Sequence, residues 1–250
     1  MMRRNILITG ASSGLGAEMA RQFAAKGRNL ALTARREDRL TELRDALLAE
    51  HPGLTVLTHR LDVTDHTAVF ETFRAIDAEL PGGIDRVIVN AGIGKGAPLG
   101  TGRFDANLQT AQTNFVAALA QAEAAMELFR SRNAGHLVMV SSVAGVRGLP
   151  KTVTTYAATK AAIASLAEGL QLELLGKPIT VSAIHPGYIH SELNEHVART
   201  PLIVGTEVGV RAMVAAIEAE KRKAYVPAWP WVPLAGLMKV APLPLLKRLI

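Results

Sequence analysis

Residues 5–16 read NILITGASSGLG, an apolar run that leads directly into a loop with three glycines. The run Asn5 to Thr9 has the length of a buried strand, and a helical pattern follows the loop through Ala25. Glycines at such a joint permit a tight turn and let a diphosphate approach backbone N–H groups at the positive end of the helix. The stretch therefore predicts a dinucleotide-binding unit, although a strand–helix joint without a ligand can carry the same glycines.

Further along the chain, short apolar or β-branched runs alternate with alanine-rich helical patterns. The predicted strands after the first are Asn29 to Ala34, Thr55 to Leu61, Arg86 to Asn90, Gly135 to Ser141, Thr180 to His185 and Ala224 to Val226. This alternation is typical of βαβ units with helices on both faces of a parallel sheet. We therefore expect an α/β fold, a Rossmann-type doubly wound sheet of about seven strands, in a single domain over residues 1–250.

The composition excludes several classes of protein. The chain has 250 residues, 49% of them hydrophobic and 20% charged, so it can bury a large core and is neither disordered nor a disulfide-stapled scaffold. It has no cysteine, which excludes thiolate nucleophiles and thiolate metal sites. Because the N-terminus carries no signal-peptide pattern, we expect a cytoplasmic protein.

The net charge of +6 is confined to the end of the chain. Residues 221–250 carry six basic side chains and no acid, so the first 220 residues are balanced, with 22 basic and 22 acidic residues. A duplex-binding protein needs basic residues across one face of its domain. We therefore expect no nucleic-acid partner.

Two arginines follow the predicted second strand, where a site for NAD usually has an acid that binds the ribose hydroxyl. Arg35 and Arg36 can instead bind a 2′-phosphate through guanidinium hydrogen bonds. This position favours NADP(H), with Arg35 the stronger candidate. The alternative is that both arginines simply begin the charged helix that follows.

A tyrosine and a lysine four residues apart begin a later alanine-rich helix. Tyr156 and Lys160 share one helix face, and a nearby cation favours the phenolate, so the pair can exchange a proton with a carbonyl or alcohol oxygen. Ser142 lies upstream at the carboxyl end of a predicted strand, where open α/β sheets bind their ligands.

Seven motifs in order resemble the short-chain dehydrogenase/reductase family over nearly the whole chain. They are TGxxxGxG at residues 9–16, Leu61-Asp62-Val63, Asn90-Ala91-Gly92, Asn114 inside a helix, Ser142, Tyr156-x-x-x-Lys160, and Pro186-Gly187. The resemblance implies hydride transfer between a nicotinamide and a carbonyl or secondary alcohol. It also implies a homodimer or homotetramer.

The resemblance implies a role for each matching residue. Tyr156 would be the general acid or base, Lys160 would lower its pKa and bind the nicotinamide ribose, and Ser142 would orient the substrate oxygen. Asn114 would hold a water and a proton relay. The cofactor-binding residues would be Gly10, Ser12, Ser13, Gly14, Leu15, Gly16, Arg35, Arg36, Asp62, Val63, Asn90, Ala91, Gly92, Tyr156, Lys160, Pro186, Gly187, Ile189 and Ser191.

The sequence departs from the family pattern at one spacing. The family usually has the serine thirteen residues before the tyrosine, whereas Ser142 precedes Tyr156 by fourteen. Adjacent strand residues face opposite sides of a sheet, so only one of Ser141 and Ser142 can reach the site. Strand position favours Ser142, and Ser141 remains the competitor.

The remaining polar candidates predict no metal site. The seven histidines, among them His136, His185 and His190, share no ligand spacing.

The segment 188–206 corresponds to the substrate loop of the family and has an apolar half, as does the segment after Gly92. We therefore expect a hydrophobic ketone, aldehyde or alcohol as the substrate.

The C-terminal tail, residues 225–250, is apolar, basic and rich in proline. Its longest uncharged run, Ala224 to Met238, has 15 residues and three prolines, too short and too interrupted for a membrane-spanning helix. Two interpretations stay open. The tail packs over the pocket or a subunit interface, or it is a peripheral membrane element in which Trp229, Trp231 and the basic residues meet the lipid headgroups.

Two other functions stay open beside the oxidoreductase. One is a dinucleotide-binding regulatory or scaffold protein without catalysis, and the other is an epimerase or dehydratase that uses the same cofactor. The complete set of Asn114, Ser142, Tyr156 and Lys160 argues against a pure binding module, which needs no acid–base tyrosine.

Overall fold

The computed structural model describes residues 3–190 and 202–249. The strands in these residues are β1 Asn5–Thr9, β2 Asn29–Ala34, β3 Val56–Arg60, β4 Arg86–Val89, β5 Gly135–Val140, β6 Ile179–Pro186 and β7 Lys223–Val226. The α-helices are α1 Gly14–Ala24, α2 Glu37–Glu50, α3 His66–Glu79, α4 Phe104–Ala111, α5 Ala117–Arg132, α6 Thr154–Glu173, α7 Thr206–Glu218, α8 Ala228–Val240 and α9 Leu243–Leu249. A π-helical turn, Gln112–Val116, joins α4 to α5, and two 3-10 turns, Val143–Val146 and Lys151–Val153, precede α6.

The seven strands form one parallel sheet in the order β3-β2-β1-β4-β5-β6-β7. Every predicted strand is present, with each end within one residue of the expected limit. The predicted fold class, a doubly wound sheet flanked by helices, is confirmed.

Alternate side chains of the central strand supply two separate cores. Ile6 and Ile8 pack beneath α1, α2 and α7, whereas Leu7 faces α3, α5 and α6 on the other side. Because β1 is buried on both faces, its sequence is apolar throughout rather than alternating.

The carboxyl ends of the strands meet at one edge of the sheet. The strand order reverses between β1 and β4, and open α/β sheets bind ligands in the crevice at such a point. The glycine loop after β1 and residues 90–92 after β4 flank this crevice.

A buried ionic network closes the opposite edge. The Arg86 guanidinium donates to Glu218 at 2.5 Å and to the His136 Nδ1 at 2.9 Å, and the His136 Nε2 lies 2.8 Å from the Ser182 hydroxyl. Nδ1 therefore accepts, and the ring is neutral. Burial, together with the charge of Arg86, lowers the pKa of His136 to about 3. Glu220 receives hydrogen bonds from Arg3 and Thr180, which outweigh its burial and lower its pKa to about 2.

This network predicts loss of stability in acid. The unfolded chain takes up a proton at His136 near pH 6.5 and at Glu220 near pH 4.5, while the native state resists both until far lower pH. Because the unfolded state then binds more protons, the free energy of unfolding should fall by about 1.4 kcal/mol per pH unit below pH 6.5, and more steeply below pH 4.5. Urea titrations across this range measure it. His136→Gln should flatten the upper part of the curve, and the exposed His66→Gln should not; equal curves for both variants would contradict the assignment.

The C-terminal segment forms two helices after β7. Trp229 has an extended backbone, so Pro230 lies in the first helical turn of α8, where N–H groups lack partners within the helix, whereas Pro233 lies inside the helix. Helix α8 packs against β7 and the Val143–Val146 turn. Among residues 3–190 and 202–249, no helix is both long and apolar enough to cross a membrane.

Candidate active site

The glycine loop turns sharply between β1 and α1. Gly10 and Gly14 have φ angles of +66° and +53°, a left-handed backbone that glycine adopts without strain. A Cβ on Gly16 would lie 2.3 Å from the Gly10 carbonyl oxygen. Helix α1 therefore approaches the loop so closely that a side chain at Gly16 has no room.

The segment after β4 supports this loop from beneath. The Asn90 side-chain amide donates to the Thr9 carbonyl at 2.9 Å, and the Thr9 hydroxyl accepts the backbone N–H groups of Asn90 and Ala91, both at 3.1 Å. Asn90 and Ala91 thus fix the shape of the glycine loop. Thr9 shares this task and was not singled out in the sequence.

The two arginines after β2 point to different partners. Arg36 reaches the glycine loop, where its guanidinium contacts the hydroxyls of Ser12 at 3.2 Å and Ser13 at 2.6 Å. Arg35 is exposed on the side of Asp62 and contributes positive charge there. Arg35 is the stronger candidate by sequence position, yet Arg36 is the arginine that contacts the loop.

The expected adenine-side residues follow β3. Val63 is buried, and the Asp62 carboxylate accepts hydrogen bonds from the Thr64 N–H at 3.0 Å and the Thr64 hydroxyl at 2.8 Å. Burial raises the pKa of Asp62, but these bonds and the charges of Arg35 and Arg60 lower it further. Asp62 is therefore an ionised acceptor at the carboxyl edge.

Tyr156 lies in the first turn of α6, close to Ser142 and Tyr188. Burial raises the pKa of the Tyr156 hydroxyl, a hydrogen bond with Ser142 lowers it by less, and the nearby Tyr188 hydroxyl raises it further. The phenol therefore stays protonated near neutral pH. A protonated phenol is the form that can donate to a developing alkoxide.

Lys160 lies one helical turn after Tyr156 and is almost fully buried. Its ammonium donates to the Val140 carbonyl at 2.9 Å and lies 5.8 Å from the centroid of the Tyr156 ring. Burial lowers the pKa of Lys160 to about 8. The sequence reasoning expected this lysine to lower the pKa of Tyr156, but here burial of the phenol dominates and its pKa is raised.

Asn114 lies in the π-helical turn and is fully buried. Its side chain accepts the Ile93 N–H at 2.8 Å and donates to the Ile93 carbonyl at 2.9 Å. A Cβ on Gly92 would lie 3.2 Å from the Asn114 Oδ1 and 3.6 Å from the Lys160 Nζ. The absence of a side chain at Gly92 therefore leaves space beside the lysine, and the π turn places Asn114 at its edge.

The two adjacent serines after β5 have different surroundings. The Ser141 hydroxyl is buried and donates to the Lys160 carbonyl at 2.7 Å, behind α6. The Ser142 hydroxyl accepts the Ala144 N–H at 3.1 Å and lies next to the Tyr156 phenol. The geometry thus favours Ser142 despite the extra residue before Tyr156, which falls near the 3-10 turn Lys151–Val153.

Substitution of each serine should separate their roles. Ser142→Ala should lower kcat about 100-fold or more, as expected when a donor to the reacting oxygen is removed. Ser141→Ala should leave kcat nearly intact and cost about 1 kcal/mol of stability, because only a structural hydrogen bond is lost. Steady-state kinetics and urea unfolding measure the two effects. Comparable losses of kcat in both variants, or the reverse order, would overturn the assignment of Ser142.

The segment after β6 contacts Trp231, which one interpretation of the sequence placed at the lipid headgroups but which the structure buries against the domain. A Cβ on Gly187 would lie 1.9 Å from the Trp231 Nε1, so the indole of α8 packs directly on the Pro186–Gly187 turn. Trp231 is only 5% exposed and stacks edge-on with Tyr188 at 5.4 Å. No short sequence pattern could reveal this contact, because the two residues are far apart in the chain.

Of the other residues expected to bind the cofactor, two pack within or against the core and one is not described. Leu15 packs against the core, and Ile189 is buried beside Gly209 of α7, where a Cβ would lie 2.6 Å from its side chain. Ser191 and residues 193–201 of the expected substrate loop lie outside the described residues.

The histidines in the described residues do not converge on one place. His185 lies 3.3 Å from the Ser142 carbonyl and 4.8 Å from the ring of Tyr225, and burial lowers its pKa to about 4. Within the part of the chain that the structure describes, no three His, Cys, Asp or Glu residues lie close enough together to hold a metal ion.

Comparison with known proteins finds close relatives of the whole chain. The family model for short chain dehydrogenases matches residues 4–201. An uncharacterized oxidoreductase from Mycobacterium tuberculosis is 54% identical over 246 residues, which cover 98% of this chain and 97% of that protein.

Two of three similar solved structures hold a nicotinamide cofactor. A short-chain dehydrogenase from Sphingobium yanoikuyae in complex with NADPH is 28% identical, with a TM-score of 0.82, over 93% of this chain and 92% of that one. A short chain dehydrogenase/reductase from Burkholderia phymatum in complex with NAD is 25% identical, with a TM-score of 0.81, over 94% and 92%. A bulky-bulky ketone specific alcohol dehydrogenase from Comamonas testosteroni is 28% identical, with a TM-score of 0.79, over 97% and 96%.

Proposed function

The chain belongs to the short-chain dehydrogenase family of oxidoreductases, and on that premise we propose that it transfers hydride between NADP(H) and a hydrophobic ketone, aldehyde or secondary alcohol. The observation that carries this proposal is the pair of Tyr156 and Ser142. A phenol that burial keeps protonated lies beside a serine hydroxyl at the carboxyl edge of the sheet. Such a pair can hold a carbonyl oxygen and deliver a proton to it.

The crevice between β1 and β4 fits a dinucleotide. Because Gly16 has no side chain, the start of α1 lies directly against the Gly10 carbonyl. The backbone N–H groups at the start of α1 can therefore bind a diphosphate. Gly92 leaves room beside Lys160 and Asn114, the expected place of the nicotinamide ribose. A nicotinamide cofactor bound there supplies the hydride.

The chain's own residues handle the oxygen and the proton. Ser142 donates a hydrogen bond to the substrate oxygen. Tyr156 gives its phenolic proton to that oxygen as the carbonyl group is reduced to an alcohol. Lys160, whose buried ammonium has a pKa of about 8, supplies positive charge that stabilises the phenolate left behind. Asn114 positions the backbone of residue 93 through its two hydrogen bonds.

Two arginines support a preference for NADP(H). Arg36 contacts the hydroxyls of Ser12 and Ser13, and exposed Arg35 lies on the side of Asp62, so two positive charges follow the end of β2. A 2′-phosphate at that place would receive charge-assisted hydrogen bonds from both. NADH carries no such phosphate.

Removal of these arginines should therefore act selectively on one cofactor. Arg35→Ala and Arg36→Ala should each raise the Kd for NADPH about 10- to 100-fold, because a charged hydrogen-bond partner of the phosphate is lost. The Kd for NADH should change little. Fluorescence titration with both cofactors measures this, with Arg44→Ala on α2 as the matched control. Wild-type preference for NADH, or an equal loss for both cofactors, would contradict the proposal.

Apolar side chains support a hydrophobic substrate. Tyr188, Leu202 and Ile203 are partly exposed on either side of the undescribed residues 191–201, and Trp231 closes the adjacent wall. The similar alcohol dehydrogenase from Comamonas testosteroni is specific for bulky-bulky ketones. We therefore propose a ketone with apolar substituents on both sides of the carbonyl as the first substrate class to test.

A further inference from the structure

The helix that closes one wall of the site is apolar on its outer face as well. Trp231 and Ala235 of α8 are buried against the domain. Trp229, just before the helical residues, and Val240, at their end, are 78% and 79% exposed, and Val232 and Leu237 between them are also exposed. A helix that is apolar all round is normally shielded from water on every side. In α8 one side is shielded and the other is bare.

Helix α9 follows α8 after two residues and carries further exposed apolar side chains. Leu243 is 70% exposed and Leu245 is also exposed, while Leu246 is buried. The outer surface of α8 and α9, which we call the tail face, therefore consists of Trp229, Val232, Leu237, Val240, Leu243 and Leu245. Exposed apolar residues that are grouped on one surface mark an interaction site.

Basic side chains accompany the tail face. Lys239 and Lys247 are exposed on α8 and α9, and Lys223 is exposed on β7, against which α8 packs. Lys223 and Lys239 both lie near His185, since the charge of each contributes to the lowered pKa of that residue. Residues 221–250 include no Asp or Glu. The partner of this surface must therefore be both apolar and negatively charged.

A second copy of the chain meets only half of this requirement. In a two-fold symmetric dimer the same patch faces itself, so the lysines of one copy would face a tail that carries no acidic side chain. An anionic lipid surface offers acyl chains to the apolar residues and phosphates to the lysines. Tryptophan is enriched at the headgroup level of membranes, and helices that lie in this plane pair an apolar face with Lys and Arg.

We propose that the tail face docks on the surface of an anionic lipid bilayer, with α8 and α9 lying in the interface and not spanning it. The inner side of α8 carries Trp231 on Gly187, and Arg147, five residues after Ser142, donates to the Met238 and Lys239 carbonyls at 3.0 and 2.8 Å. Docking would therefore place the lipid surface next to the wall of the active site. The docking surface itself does not depend on which reaction the site performs.

Vesicle flotation of the full chain tests the proposal. Wild-type protein should bind vesicles of phosphatidylcholine with phosphatidylglycerol and bind vesicles of phosphatidylcholine alone far less. Trp229→Ser combined with Leu243→Glu should lower partitioning at least about tenfold, because it removes apolar burial and adds a repelled charge. Lys239→Ala and Lys247→Ala should each lower partitioning on anionic vesicles about fivefold.

Leu172→Glu on α6 is the matched control, since Leu172 is 71% exposed and receives the same charge. It should bind vesicles like the wild type. No binding by the wild type, or equal loss in the Leu172→Glu variant, overturns the proposal.

Loss of a dimer without vesicle binding, measured by light scattering, would instead show that a second copy covers the tail face. Circular dichroism and NADPH binding check the fold of each variant. If the double variant does not fold, the two lysine variants carry the test of the proposal. Unchanged turnover in these variants would separate docking from the reaction, and failure of the proposed reaction would leave the vesicle result intact.

Discussion

Tyr156→Phe should lower kcat for ketone reduction by about 100- to 10,000-fold, the range that a positioned general acid contributes. The substitution removes only the phenolic oxygen. The ring, its place in the first turn of α6 and the Lys160 ammonium that donates to the Val140 carbonyl all remain. Affinity for NADPH should therefore be unchanged. Steady-state kinetics at saturating cofactor and a fluorescence titration with NADPH measure the two quantities.

Tyr225→Phe provides the matched control for this experiment. Burial also raises the pKa of Tyr225, but its ring stacks on His185 from β7 and it belongs to no proposed catalytic group. Its kcat should stay near that of the wild type. A Tyr156→Phe enzyme that keeps its rate would refute the role of the phenol. A wild type that binds NADPH and reduces no carbonyl would favour a binding module.

Gly16→Ala should weaken cofactor binding by roughly 10- to 100-fold. The new Cβ would lie 2.3 Å from the Gly10 carbonyl oxygen and 2.9 Å from the Asn90 Nδ2, so the glycine loop and its support must both move. Overpacking of this kind costs about 1–3 kcal/mol, which weakens binding by roughly 10- to 100-fold. The affected loop carries the backbone N–H groups expected to hold the diphosphate, so NADPH and NADH should lose affinity together. Calorimetric titration with both cofactors tests this.

Gly169→Ala is the control from another helix. Gly169 lies within α6, and a Cβ there would meet nothing within 4 Å. Because alanine loses less backbone entropy than glycine in a helix, this variant should gain about 0.5–1 kcal/mol of stability and keep its cofactor affinity. Normal cofactor binding by Gly16→Ala would mean that the loop does not form the diphosphate site.

The sheet is predictable from the sequence because its five inner strands are buried on both faces, and only the edge strands β3 and β7 are partly exposed. Runs such as Asn5 to Thr9 and Asn29 to Ala34 are apolar throughout, and helical patterns of different period separate them. The glycine loop, Tyr156 and Lys160 are equally readable, since fixed local spacing encodes them. Once the order of the parallel strands is known, the positions of these residues at the carboxyl edge of the sheet follow.

Contacts between distant segments are not encoded in local spacing. The packing of Trp231 on Gly187 depends on how α8 returns to the sheet. The direction of Arg36 toward Ser12 and Ser13 depends on the side-chain conformation that the loop permits. The pKa of Tyr156 is raised mainly by burial of the phenol. The spacing of Tyr156 and Lys160 in the sequence indicates a nearby positive charge but does not indicate how deeply the phenol is buried.

The most direct test of the central claim is transfer of a label. NADPH that carries deuterium on the transferred position of its nicotinamide should be incubated with the protein and a ketone that has apolar groups on both sides. The proposed function predicts that deuterium appears on the carbinol carbon of the alcohol product, faster from NADPH than from NADH, and that Tyr156→Phe suppresses it. An unlabelled product, no ketone-dependent oxidation of NADPH, or faster transfer from NADH would contradict it.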